Sequence, residues 1–168
     1  MAGALIVTAE LGAADFAWLD ELRRRHYPLE RNRVPAHLTM FHALPPSAEP
    51  EVRARLVRAV NGRAPAAEIA GVMDLGTGVA FRVVSDDLDC LRDQLAADLH
   101  GLLGAQDSAG WRPHVTIQNK VPPRAARELR LELERGFARR PLTIAGLGLH
   151  RYLGGDWQRL AVYRFRGR

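Results

Sequence analysis

Two kinds of hydrophobic spacing alternate along this chain, one suited to strands and one to helices. Residues 2–10 form an apolar run of strand length, and within residues 15–26 Phe16, Leu19, Leu22 and His26 recur at helical spacing. The arginines Arg23, Arg24 and Arg25 read as a solvated helix end, where cations are favoured. Residues 27–35 make a polar connection in which Pro28 and Pro35 block helix, and it delivers the chain into AHLTMFHAL, residues 36–44, a second strand. PPSAEP then breaks the pattern. Pro50 suits the first turn of a helix striped by Val52, Leu56, Val57 and Val60 and ended by Asn61-Gly62.

The second half repeats this order. Residues 66–75 and 78–85 read as a hairpin turned at Gly76 and Gly78; its Gly-Thr-Gly lacks both the Lys-Ser/Thr of a phosphate loop and the third glycine of a dinucleotide fingerprint. Ser85 is placed to cap a helix with Asp86 and Asp87 in its first turn and Leu88, Leu91, Leu95, Leu99 and Leu102 along its stripe. A loop over 105–110 leads into RPHVTIQNK, residues 112–120, a strand. Pro122-Pro123 opens a helix striped by Ala126, Leu129, Leu133 and Phe137, and strands over 142–153 and 157–165, turned at Gly154-Gly155-Asp156, finish the chain. The offsets from Leu5 to Val79, Phe16 to Leu91, His37 to His114 and Val52 to Ala126 are 74, 75, 77 and 74, so the spacing predicts an internal duplication.

Each half carries one His-x-Thr triplet on a strand. Alternation with period two puts His37, Thr39 and Phe41 on one face and Leu38, Met40 and His42 on the other; it likewise groups His114, Thr116, Gln118 and Lys120. Two related halves packed about a pseudo-twofold axis would bring His37 and His114 face to face across a cleft, where ligand sites are favoured.

Composition adds bounds. With 168 residues, 47% hydrophobic and 26% charged, the chain suits one compact domain over 1–168 that buries a sizeable core. No apolar run reaches membrane-spanning length and the N-terminus lacks a signal-peptide pattern, so a cytoplasmic protein with no membrane partner, acting as a monomer, is expected. Cys90, the only cysteine, excludes an internal disulfide and a thiolate metal cluster. The net charge of +5 suits a phosphate-bearing partner, although Lys120 is the only lysine among 24 basic residues, a skew that genome composition explains as readily as phosphate contact.

Two histidines near their ordinary pKa can divide acid and base work, and threonine hydroxyls can donate to phosphate oxygens, with Lys120 adding charge. No metal is required, and no carboxylate or cysteine joins the histidines at ligand spacing. A five-membered cyclic phosphate is the easiest substrate for such a site because opening it relieves ring strain. His26, His42, His100 and His150 read as structural. Trp157, Tyr152 and Arg151, near the final hairpin, could rim a nucleotide.

On His37, Thr39, His114 and Thr116, and on the strand–helix repeat around them, the sequence resembles the 2H phosphoesterases, which include bacterial 2'-5' RNA ligase and RNA 2',3'-cyclic phosphodiesterase proteins. The resemblance implies a bilobal α+β fold, two pseudo-symmetric lobes each with an antiparallel sheet and outer helices, and an active-site cleft between them. It also implies cofactor-free, metal-independent chemistry on an RNA or nucleotide with a 2',3'-cyclic phosphate or a 2'-5' linkage, with His114 as base toward water and His37 as acid toward the 2' leaving oxygen. The arginine often found shortly after a motif is missing; Phe41-His42 follows one and Gln118-Asn119-Lys120 the other. Phe41 then becomes a candidate to stack a base or ribose, and Gln118 and Lys120 to hold phosphate or sugar. The alternatives are 2'-5' RNA ligase activity and a non-catalytic RNA-binding protein using the same basic cleft.

Overall fold

The computed structural model of the protein describes residues 3–167; Ala2, read as the start of the first strand, lies outside them. Within this range the chain runs β1 (Leu5–Leu11), α1 (Ala13–His26), β2 (Leu38–Leu44), α2 (Glu49–Ala59), β3 (Ala66–Asp74), β4 (Val79–Val84), α3 (Asp86–Asp98), α4 (Ala105–Ser108), β5 (His114–Gln118), α5 (Pro123–Arg135), β6 (Arg140–Tyr152) and β7 (Trp157–Arg164). The α+β class and antiparallel pairing that the resemblance implies hold, although the strands join in one sheet rather than one per lobe. Boundaries shift where local chemistry decides them. A helical turn, α4, occupies part of the expected 105–110 loop, α3 stops at Asp98 short of Leu102, and Phe137 lies past the end of α5.

Ser85 caps α3, its Oγ accepting from the Leu88 N–H at 3.0 Å while donating to the Ala66 carbonyl at 2.7 Å. Gly76 turns the β3–β4 hairpin with φ of 79°, a conformation that favours glycine. At Gly78 a Cβ would lie 1.9 Å from the Gln118 carbonyl, because the hairpin closes onto the end of β5.

The strands form one antiparallel sheet in the order β2-β1-β6-β3-β4-β5, with β7 also paired to β6. The two halves share β6: its first residues, Arg140–Thr143, pair with β3, and the rest pair with β1 and β7. Leu5, Leu38, Met40, Ile69, Leu88, Leu95 and Ile117 are among the fully buried side chains at the centre. β2 and β5 terminate the sheet's path at opposite ends, yet they lie next to each other. The sheet therefore curls until its edge strands, which carry the two His-x-Thr triplets, meet.

Candidate active site

The backbone at each triplet fixes its histidine in the same way. His37, just before β2, bonds through Nδ1 to the carbonyl of Pro35 at 2.8 Å, and His114, first in β5, bonds through Nδ1 to the carbonyl of Arg112 at 2.7 Å. A carbonyl can only accept, so Nδ1 carries the proton in both rings and Nε2 is left for a ligand. Protein surrounds His37 on most sides while part of its surface stays open. Burial pushes its pKa down to about 4; the bond to Pro35 opposes this, and the charges of Arg23, His150 and His114 add to it. In the free protein His37 is neutral near pH 7. Its ring also lies 4.5 Å from that of Trp157, from the final hairpin.

Directly after each threonine the strand bulges. Opposite β1, Thr39 pairs with Thr8 and Phe41 with Val7; opposite β4, Thr116 pairs with Ala80 and Gln118 with Val79. Each motif strand thus carries an extra residue just after its threonine, which flips the faces directly beyond it, and β2 carries a second between Phe41 and Leu44. Parity read from the sequence is corrected here. Phe41 is fully buried under the Arg92 guanidinium, 4.5 Å from its ring centre, and cannot stack a base. Gln118 is buried with its Oε1 unpartnered, and Lys120, in the left-handed region at φ of 60°, lies beyond the end of β5. None of the three lines the recesses beside the histidines.

His42, by contrast, moves to the Thr39 side and lines a recess of about 270 Å³ with Thr39, Trp111, Arg112 and His114. Asp107 holds it, bonded to its Nδ1 at 3.0 Å and accepting from the backbone N–H groups of His42 and Ala43. Burial of that carboxyl raises its pKa, but these bonds outweigh it and the net shift is downward.

Two buried arginines fix the meeting of the edges. Arg23 of α1 donates to the Thr116 carbonyl at 3.0 Å and to Asn32 at 2.9 Å, while Arg92 of α3 donates to the carbonyls of Met40 at 3.1 Å and Asp107 at 2.8 Å. Each reaches from a helix of one half to the motif strand of the other. Trp111 adds a third tie, its Nε1 donating to the Thr39 carbonyl at 3.0 Å. Arg23 is no solvated helix end. Its position four residues after Leu19 on the apolar stripe was the available signal, as was that of Arg92 four after Leu88. Among the residues read as a nucleotide rim, Trp157 reaches His37, whereas Arg151 pairs with Glu49 and Tyr152 is 44% exposed.

The sequence profile of the 2'-5' RNA ligase superfamily matches residues 12–156, which include both motifs. No curated protein matches the chain. Among solved structures it is similar to TT0787 of Thermus thermophilus, at 19% identity over 98% of this chain and 99% of that one with a TM-score of 0.67. It is also similar to E. coli LigT crystallised with 3'-AMP, at 15% identity over 98% and 99% of the two chains with a TM-score of 0.62. A third similar structure, described as a phosphoesterase, is 15% identical over 97% and 98%, with a TM-score of 0.61. At such identities the likeness is one of fold.

Proposed function

We propose, on the premise that the chain belongs to the 2'-5' RNA ligase superfamily, that it is a metal-independent phosphodiesterase opening a 2',3'-cyclic phosphate, on an RNA end or a nucleotide, or a related 2'-linked diester. The observation that carries this reading is the matched pair of Nδ1-to-carbonyl bonds at His37 and His114, which leave two Nε2 atoms free at the meeting of the edge strands. Water adds to phosphorus as its proton passes to Nε2 of His114; one ribose P–O bond breaks, and the departing oxygen takes a proton from Nε2 of His37. Thr39 and Thr116 donate to the non-bridging oxygens, and Arg23 adds fixed positive charge nearby.

An acid must hold a proton, yet burial leaves His37 neutral in the free protein. The phosphodiester anion supplies the compensation, because a negative charge beside a desolvated imidazole favours its protonated form. His37 therefore gains its proton with the substrate.

The test uses purified protein in EDTA with 2',3'-cyclic nucleotides and RNA ends bearing the cyclic phosphate, product formation being followed by phosphorus NMR. Hydrolysis is expected, and His37→Ala or His114→Ala should each lose ~10²–10⁴-fold. A diester with an aryl leaving group needs no proton on departure, so His37→Ala should recover most of its rate there and His114→Ala should not. Turnover that requires a divalent ion, or none on any of these substrates, would sink the reading.

A further inference from the structure

Beside His37 lies a second cavity, also about 270 Å³, that the chemistry above leaves unused. Its wall is largely apolar: Leu11, Val34, Pro35, the half-buried Trp157 and Phe16, which is 37% exposed. The Trp157 ring lies near two imidazoles, 4.5 Å from the ring of His37 and 5.5 Å from that of His150. The mouth is tied by Arg33, which donates to Asp156 at 2.8 Å and so joins the loop ahead of His37 to the β6–β7 turn. Flat aromatic walls, a small volume and a few polar groups suit one planar ring system next to a phosphate.

The polar groups on that wall are mostly committed. Thr8 and His150 bond each other at 3.0 Å. Glu10 lies against Arg159, its Oε1 2.7 Å from Nη2, and 3.8 Å from His150 Nε2. Gly148 makes room for this cluster, since a Cβ there would lie 2.1 Å from Glu10 Oε1 and 2.6 Å from Thr8 Oγ1. Despite these neighbours, the buried Glu10 Oε1 has no hydrogen-bond partner among the described residues. An ionised carboxylate is acceptor-only, so what it can take from a ligand is a donor N–H.

The geometry points to a nucleobase subsite here, in which Trp157 supports the ring and Glu10 accepts from an exocyclic amino group. Adenine, cytosine and guanine carry one. Uracil instead presents two carbonyls flanking a single N–H, and a carbonyl facing Glu10 is repelled. The recess beside His114 is the poorer host: Arg92, Arg112 and Gln106 line it, and its one aromatic, Trp111, has its N–H spent on Thr39. The assignment rests on the proposed function in placing the phosphate at His37, but not in requiring turnover.

Calorimetric titration of the intact protein with the 3'-monophosphates of adenosine, cytidine, guanosine and uridine tests it. The three amino-bearing nucleotides should bind about tenfold more tightly than the uridine one. Trp157→Ala should weaken all three about tenfold, and Trp157→Phe, which keeps a stacking face, should restore most of that. Glu10→Gln, which presents a donor as well as an acceptor, should erase the discrimination against uracil. Equal binding of uridine by the unsubstituted protein, discrimination surviving in Glu10→Gln, or loss of affinity in His42→Ala instead of Trp157→Ala would each overturn the assignment. A protein that discriminates among bases but opens no cyclic phosphate would keep this subsite and overturn the proposed reaction.

Discussion

A histidine whose Nδ1 is already bonded to a carbonyl has one nitrogen left to offer, and at two positions 77 residues apart the chain makes the same arrangement. The two triplets were legible in the sequence, because a His-x-Thr strand with apolar flanks is a local pattern, but the bonds at Nδ1 were not. What differs between the two is environment. Burial holds His37 neutral down to about pH 4 in the free protein, a property of surroundings gathered from several elements and thus invisible in a local window. The pH profile should report it. Because the proposed mechanism has the pair work while carrying one proton, the acid limb of kcat/KM marks the second proton's arrival, and it should fall near pH 4 rather than in the ordinary imidazole range. In kcat, which reports the substrate complex, the same limb should move upward as the phosphate charge favours imidazolium. Coincident limbs in the two profiles would show that the anion leaves His37 untouched.

Strands were legible as strands, but faces were not. Period two assigns a side chain only while the ladder is regular, and a bulge after each threonine breaks it at the residues that matter for the cleft. A hint lay in the adjacent apolar pair Met40-Phe41, both buried, which a regular half-exposed strand does not allow; Ile117-Gln118 is buried too, but its polar second residue gave no such sign. The helices hid a comparable feature. Arg23 and Arg92 sit on apolar stripes, where a buried cation must find acceptors, and both find backbone carbonyls on the opposite half's motif strand. Replacing Arg92 by Met keeps the apolar stem but strips donors from the Met40 and Asp107 carbonyls, each loss costing ~1–3 kcal/mol. Urea unfolding should show a drop of roughly 2–6 kcal/mol, against less than ~0.5 for Arg124→Met on the exposed face of α5. Similar losses for the two variants would mean that Arg92 does not tie the edges together.

Across the whole molecule, the repeat offsets foretold the order of elements but not their pairing, since order along a chain does not specify that β6 serves both halves. Nor could it foretell how the curled sheet buries histidines. His26, His37 and His150 all have pKa values lowered first of all by burial, so the folded protein resists protons that the unfolded chain accepts at the ordinary imidazole value. Where the unfolded state binds more protons, stability rises with pH; it is therefore complete above about pH 6.5 and declines as pH falls toward about 4. Asp107 acts in the same direction at lower pH, because its bonds to His42 and Ala43 are lost as the carboxyl protonates. Self-repulsion among the +5 net charge also grows in acid, and the two causes separate by salt. Repulsion between surface charges is screened within about 3 Å at 1 M salt, whereas the desolvation of a buried imidazole is not. The melting temperature should thus fall between pH 6.5 and 4 even in 1 M salt, and fall less in His37→Gln. If the variant tracked the unsubstituted protein throughout, His37 would be as easily protonated in the fold as out of it, and the free protein would already hold the imidazolium that the proposed reaction needs.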